Sequence, residues 1–125
     1  MKNREEIIKN YIEGYNSFDI QKMTRNFSDD ILFENIQDGV TTLTLKGIQA
    51  FAAQAEETKF YFSKRKQTLL SFKHVADKIE IEIDYWAVLA IDLPNGLKKG
   101  DEIKLRGRSI FEFSNDKIIM LTDES

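Results

Sequence analysis

The chain has 125 residues, with 18 basic against 21 acidic side chains for a formal net charge of −3, and it contains one histidine, one proline and no cysteine. That length supports one hydrophobic core, so residues 1–125 are expected to form a single domain. The missing cysteines exclude disulfides, thiol nucleophiles and thiolate metal sites, and the small dispersed acidic excess sets up no field that would gather nucleic acid or an anionic membrane.

At the start, MKNREEIIKNYIEGY carries a charge every few residues and does not read as a signal peptide. No apolar run in the chain reaches the roughly 20 residues that span a bilayer, so a cytoplasmic protein is expected. Ile7, Ile8, Tyr11, Ile12 and Tyr15 recur at helical spacing behind a capping Asn3, which predicts a first helix over residues 4–17. Asp19 can cap a second helix whose inward residues are Ile20, Met23 and Phe27. Ser28, Asp29 and Asp30 then break the helix, and a short strand follows with Ile31, Phe33 and Asn35 on one face. Residues 37–46 read as a loop or a small hairpin around Asp38-Gly39. Gly47 opens a third helix carrying Ile48, Phe51, Ala52 and Ala55, which ends near Glu57.

From Phe60 onward the period is two, which predicts strands over residues 64–74, 78–92, 102–114 and 117–123. The links between them are short and turn-rich, so the four pair in sequence as an antiparallel meander. Ile79, Ile81, Ile83, Tyr85, Ala87, Leu89 and Ile91 share one face, as do Ile103, Leu105, Gly107, Ser109, Phe111 and Phe113. These faces form the core and the helices cover them. The expected architecture is α+β: a curved, mostly antiparallel sheet, shaped as a cone, covered by three N-terminal helices.

The order helix, helix, strand, helix, meander, together with the stretch YIEGYNSFDIQKMTRNFSDDILFEN, resembles the nuclear transport factor 2-like superfamily, which includes ketosteroid isomerases and SnoaL-like polyketide cyclases. Carried over by position, the isomerase pattern implies that its oxyanion-stabilising tyrosine falls on Tyr11. Its proton-abstracting aspartate falls on Asn35, and its protonated aspartic acid on Ser109 of Ser109-Ile110-Phe111-Glu112-Phe113. An amide cannot accept a proton at useful pH, so no ketosteroid isomerase activity is expected.

Each candidate has a bland counterpart. Tyr11 is a hydrogen-bond donor to a ligand or a core tyrosine that satisfies its own hydroxyl. Asn35 holds a ligand or water, or caps the following loop. Ser109 binds ligand or makes room for a helix. His74 reads as an exposed hairpin residue, and Glu34, Glu82 and Asp84 face outward by alternation. Metal binding is not expected, because one histidine and no cysteine leave only carboxylates. The basic run Ser63-Lys64-Arg65-Lys66 reads as a solvated strand surface. Trp86 lies on the outer face near Val88 and Ile110, rimmed by Arg106 and Arg108, as a homodimer interface would require; relatives in the superfamily pair through that face.

The pocket lining expected from these faces is Tyr11, Tyr15, Phe33, Asn35, Phe51, Tyr85, Ser109, Phe111 and Met120. It suits a small hydrophobic or polycyclic molecule bearing a carbonyl or hydroxyl, with no cofactor. Two functions fit: a non-catalytic ligand-binding protein, or a cofactor-free isomerase, cyclase or dehydratase in which Tyr11 polarises a substrate oxygen. An inward acid with a raised pKa would favour the enzyme.

Overall fold

Helix α1 (Arg4–Asn16) begins where the Asn3 side chain accepts a hydrogen bond from the Glu5 backbone N–H at 2.8 Å. The computed structural model describes residues 3–125. After α1 come α2 (Ile20–Thr24), β1 (Phe27–Gln37), β2 (Val40–Lys46), α3 (Ile48–Thr58), β3 (Phe62–Val75), β4 (Lys78–Leu89), β5 (Glu102–Ser114) and β6 (Lys117–Glu124). One six-stranded curved sheet runs in the order β2-β1-β6-β5-β4-β3. Every neighbouring pair is antiparallel except β1 with β6. The three helices lie over its concave side, giving the expected α+β cone.

Packing follows the two periodicities. Ile7, Ile8, Tyr11 and Ile12 of α1 are buried against Ile79, Ile81, Phe111 and Leu121 of the sheet. Each fully buried side chain of this size stabilises by about 1.5–3 kcal/mol. Tyr85 and Ser109 share the inner face, with Trp86 and Arg108 on the outer one. Leu105, on the inner face at the far end of β5, is exposed because the helices cover only part of the cone. Among the described residues no helix is long and apolar enough to cross a membrane.

Several boundaries move for stated reasons. The second helix stops at Thr24, and Phe27 instead opens β1, where it pairs with Ile118 and stays buried. Asp38 and Gly39, both at positive φ, turn residues 37–46 into a hairpin rather than a loop. Strand β4 ends at Leu89, whose N–H donates to the Asp101 carbonyl, so Ile91 falls in the connecting loop and is exposed. The largest change is in β6. Glu112 pairs with Met120 but Phe113 with Ile118, so Ile119 is an extra residue in the ladder. That bulge inverts the alternation: Leu121 and Asp123 face the core side, opposite Phe111 and Ser109, while Met120 shares the outer face with Glu112. Met120 therefore does not line the pocket.

Gly14 marks the closest helix contact. A Cβ there would lie 2.7 Å from the Met23 backbone nitrogen and 3.0 Å from the Asp19 carbonyl oxygen, neither of which can rotate away. Gly14→Ala is expected to destabilise by about 1–3 kcal/mol, despite alanine's better helix propensity. Urea denaturation checks this, and an unchanged or higher midpoint would show that the α1–α2 turn is free to spread.

Candidate functional site

Between the helices and the concave sheet lies a cleft of about 380 Å³. Its walls are apolar: Phe33 of β1, Leu43 and Leu45 of β2, Phe51 and Ala55 of α3, and Phe62 of β3. The polar groups on it are Tyr11 and Tyr15 of α1, Asn35, Gln54, Thr58, Arg65 and Asp123. A smaller hollow of about 180 Å³ adjoins it, shares Tyr15, Asn35 and Asp123, and adds Tyr85 and Ser109.

Tyr11 is held by its ring, stacked on Phe27 at 5.8 Å and edge-on to Phe111 at 5.6 Å. Burial keeps its phenol protonated well above the usual tyrosine range, reinforced by the charge of Asp123 and opposed by Arg65. It can therefore donate a hydrogen bond without surrendering its proton. Tyr15 and Tyr85 bond to each other through their hydroxyls at 2.8 Å. Phe111 is fully buried beneath Tyr11, so it is the floor that supports the cleft and not part of its surface.

Asp123 is the residue that alternation alone misses, because only the bulge in β6 turns it inward. Its neighbours across the ladder are Asn35 on β1 and Ser109 on β5. These are the two positions where the resemblance to ketosteroid isomerases would have placed aspartates. The carboxylate thus stands on the strand between them. Burial raises its pKa to about 6, against the opposing hydrogen bond that the Ser109 hydroxyl donates to Oδ1 at 2.7 Å. Asn35 donates to the Thr42 hydroxyl at 2.9 Å, which ties β1 to β2 beside the cleft.

Arg65 is the second missed residue and corrects the reading of its basic run as a solvated surface. It points inward from β3, is 5% exposed, and donates through Nε to the Tyr15 carbonyl at 2.9 Å. Its guanidinium lies 3.8 Å from the Tyr15 ring centroid and 4.3 Å from that of Phe18. Phe18 adopts φ 58°, a left-handed conformation rare for a bulky residue, which brings its ring onto the arginine.

On the outer face, Arg106 pairs with Asp84, and Arg108 with Glu80 and Glu124. Trp86 sits opposite Lys104 and is half-buried, donating from its indole to Glu102. Ile110 pairs with Glu80, six residues along β4 from Trp86, and six residues of strand span about 20 Å. The two do not form one apolar spot as the sequence reading supposed. His74 is exposed and bonded to Glu5 of α1. Among the described residues no three His, Asp or Glu side chains converge as metal ligands would.

The model of the SnoaL-like domain family matches residues 8–120. No curated protein matches the chain. Among solved structures it is similar to a candidate polyketide cyclase from Xanthomonas campestris, with TM-score 0.82 at 16% identity over 98% of this chain and 89% of that one. A candidate polyketide cyclase from Pseudomonas putida gives 0.78 at 18% identity over 98% and 91%. A protein of ketosteroid isomerase-like fold from Catenulispora acidiphila, solved with trimethylamine, gives 0.77 at 13% identity over 94% and 83%. At these identities the likeness is one of fold.

Proposed function

We propose, because this chain belongs to the SnoaL-like domain family, that its cleft binds a small hydrophobic cyclic molecule bearing a carbonyl and moves a proton on it without a cofactor. The observation that carries the reading is Asp123, an acid on the cleft wall whose pKa lies at about 6. A general base works best with a pKa near the working pH. Asp123 as carboxylate takes a proton from the carbon next to the carbonyl; the C–H electron pair becomes the new C=C bond and the carbonyl π pair moves onto the oxygen. Tyr11 donates a hydrogen bond to the enolate so formed, and the Asp123 carboxyl returns the proton to carbon or to the enolate oxygen. Isomerisation, aldol-type cyclisation and dehydration all share this first step. The similarity in fold to candidate polyketide cyclases supports that class of chemistry.

Solvent deuterium exchange next to the carbonyl of 2-tetralone, followed by NMR, tests the proposal. Exchange above the buffer rate is expected, rising with pH through about 6 as Asp123 ionises. Tyr11→Phe is expected to slow it by roughly tenfold or more through loss of the enolate donor. Binding of the ketone with no exchange would leave a ligand-binding protein and sink the catalytic reading.

We further propose a cytoplasmic homodimer paired through the outer sheet face, where half-buried Trp86 and Val88 lie at one end, Ile110 at the other, and Arg106 and Arg108 between them. Light scattering at micromolar concentration is expected to give twice the mass of one chain. The mass of a single chain would remove the dimer.

A further inference from the structure

The cleft wall holds a cation, the Arg65 guanidinium, for which the described residues supply no counter-ion. Among the described residues no carboxylate lies within ion-pair distance of Arg65. Among the described residues only the Tyr15 carbonyl accepts from it, at Nε, and none partners the buried Nη2. A guanidinium carries five N–H donors in its plane, and leaving them buried and unpaired is strongly unfavourable. The rings of Tyr15 and Phe18 pack against it, their centroids 3.8 and 4.3 Å from the guanidinium carbon, and leave its N–H groups as the means of holding a further acceptor. Asn16, next to Tyr15 in α1, is engaged by the backbone of Gln67 through both ends of its amide. Asp123 is not the missing partner: among the described residues no ion pair joins it to Arg65, and its Oδ1 accepts from the Ser109 hydroxyl.

We propose that the molecule bound in this cleft carries a carboxylate, which Arg65 holds through its in-plane N–H groups. This rests on the ligand-binding reading above and adds the charge of the ligand to it. The aromatic clamp from Tyr15 and Phe18 fixes the guanidinium before the ligand arrives, so little side-chain entropy is lost on binding. The apolar walls then receive the ring system, and the cleft selects a cyclic acid over its neutral analogue.

The test compares 2-naphthoate with 2-naphthamide, which share a ring system and differ in charge, by calorimetric titration near neutral pH. Wild-type protein is expected to bind the acid at least about tenfold more tightly. Arg65→Gln should abolish that preference while leaving amide binding in place, and Arg65→Lys should retain part of it. Should Arg65→Gln fail to fold, the arginine Nε–H signals of the wild-type protein provide a second readout: one should move with naphthoate and stay still with naphthamide. Equal affinity of wild type for the two compounds, or a preference that survives in Arg65→Gln, overturns the carboxylate while the cleft reading stands. Binding of neither compound removes both.

Discussion

Asp123→Asn is expected to abolish proton exchange on a bound ketone and, at the same time, to make the protein more stable above pH 6. An amide keeps an oxygen to accept the Ser109 hydroxyl but cannot take a proton from carbon, so exchange should fall to the buffer rate. The stability gain follows from linkage. The folded protein holds the Asp123 proton up to about pH 6, whereas an unfolded chain releases it near the ordinary aspartate value of about 4. Between those values the folded state binds more protons than the unfolded one, so stability falls as pH rises through that window and stays lower above it. The full difference is on the order of 2–3 kcal/mol, absent below about pH 4 and complete above about pH 6. Urea denaturation of both proteins at several pH values measures it. A mutant no more stable than wild type at pH 8 would mean that the carboxylate is solvated through the cleft. The pairing of lost activity with gained stability is the signature of a group kept in an unfavourable setting for its chemistry.

Phe111→Ala is expected to have the largest effect on folding. The side chain is fully buried, supports the Tyr11 ring edge-on at 5.6 Å, and pairs across the ladder with Leu121. Truncating a buried phenylalanine costs about 3–5 kcal/mol, through lost transfer energy and the cavity left behind. Thermal unfolding should show Tm lowered by more than about 10 °C. Phe111→Leu, which refills most of the volume, should recover the larger part. Because Tyr11 stands on this residue, whatever Phe111→Ala protein folds should bind ketones more weakly than its folded fraction alone explains. A loss under about 1 kcal/mol would mean that α1 settles into the gap, and the cleft would then be softer than its packing implies.

Much of the fold was legible in the chain because its signals are local. The stripe Ile7, Ile8, Tyr11, Ile12 has to be buried by any helix that forms there, and the strict alternation of Ile79, Ile81 and Ile83 fixes which face of β4 turns inward. Turn chemistry at Asp38-Gly39 is local too, since those two residues alone provide the positive φ that a tight hairpin needs. From these came the α+β cone, the meander, and five residues of the main cleft: Tyr11, Tyr15, Phe33, Asn35 and Phe51. Tyr85 and Ser109 took their places in the adjoining hollow by the same parity.

The chemistry of the site was not legible, because each decisive feature depends on a partner distant in the chain. The extra residue in β6 arises only when that strand pairs with β5, and the apolar run Ile118, Ile119, Met120, Leu121 has no alternation to reveal it. One residue of slip puts Leu121 in place of Met120 opposite Phe111 and Asp123 in place of Thr122 opposite Ser109, and with it a carboxylate at the cleft. Arg65 looks like any basic strand residue until Tyr15 and Phe18, some fifty positions earlier, pack their rings against it. The sequence by itself determined which elements form and which faces they bury, since periodicity and turn residues act over a few positions. Only the tertiary structure decided which charged groups meet the ligand, since strand register and burial depend on the partners an element finds when the chain closes on itself.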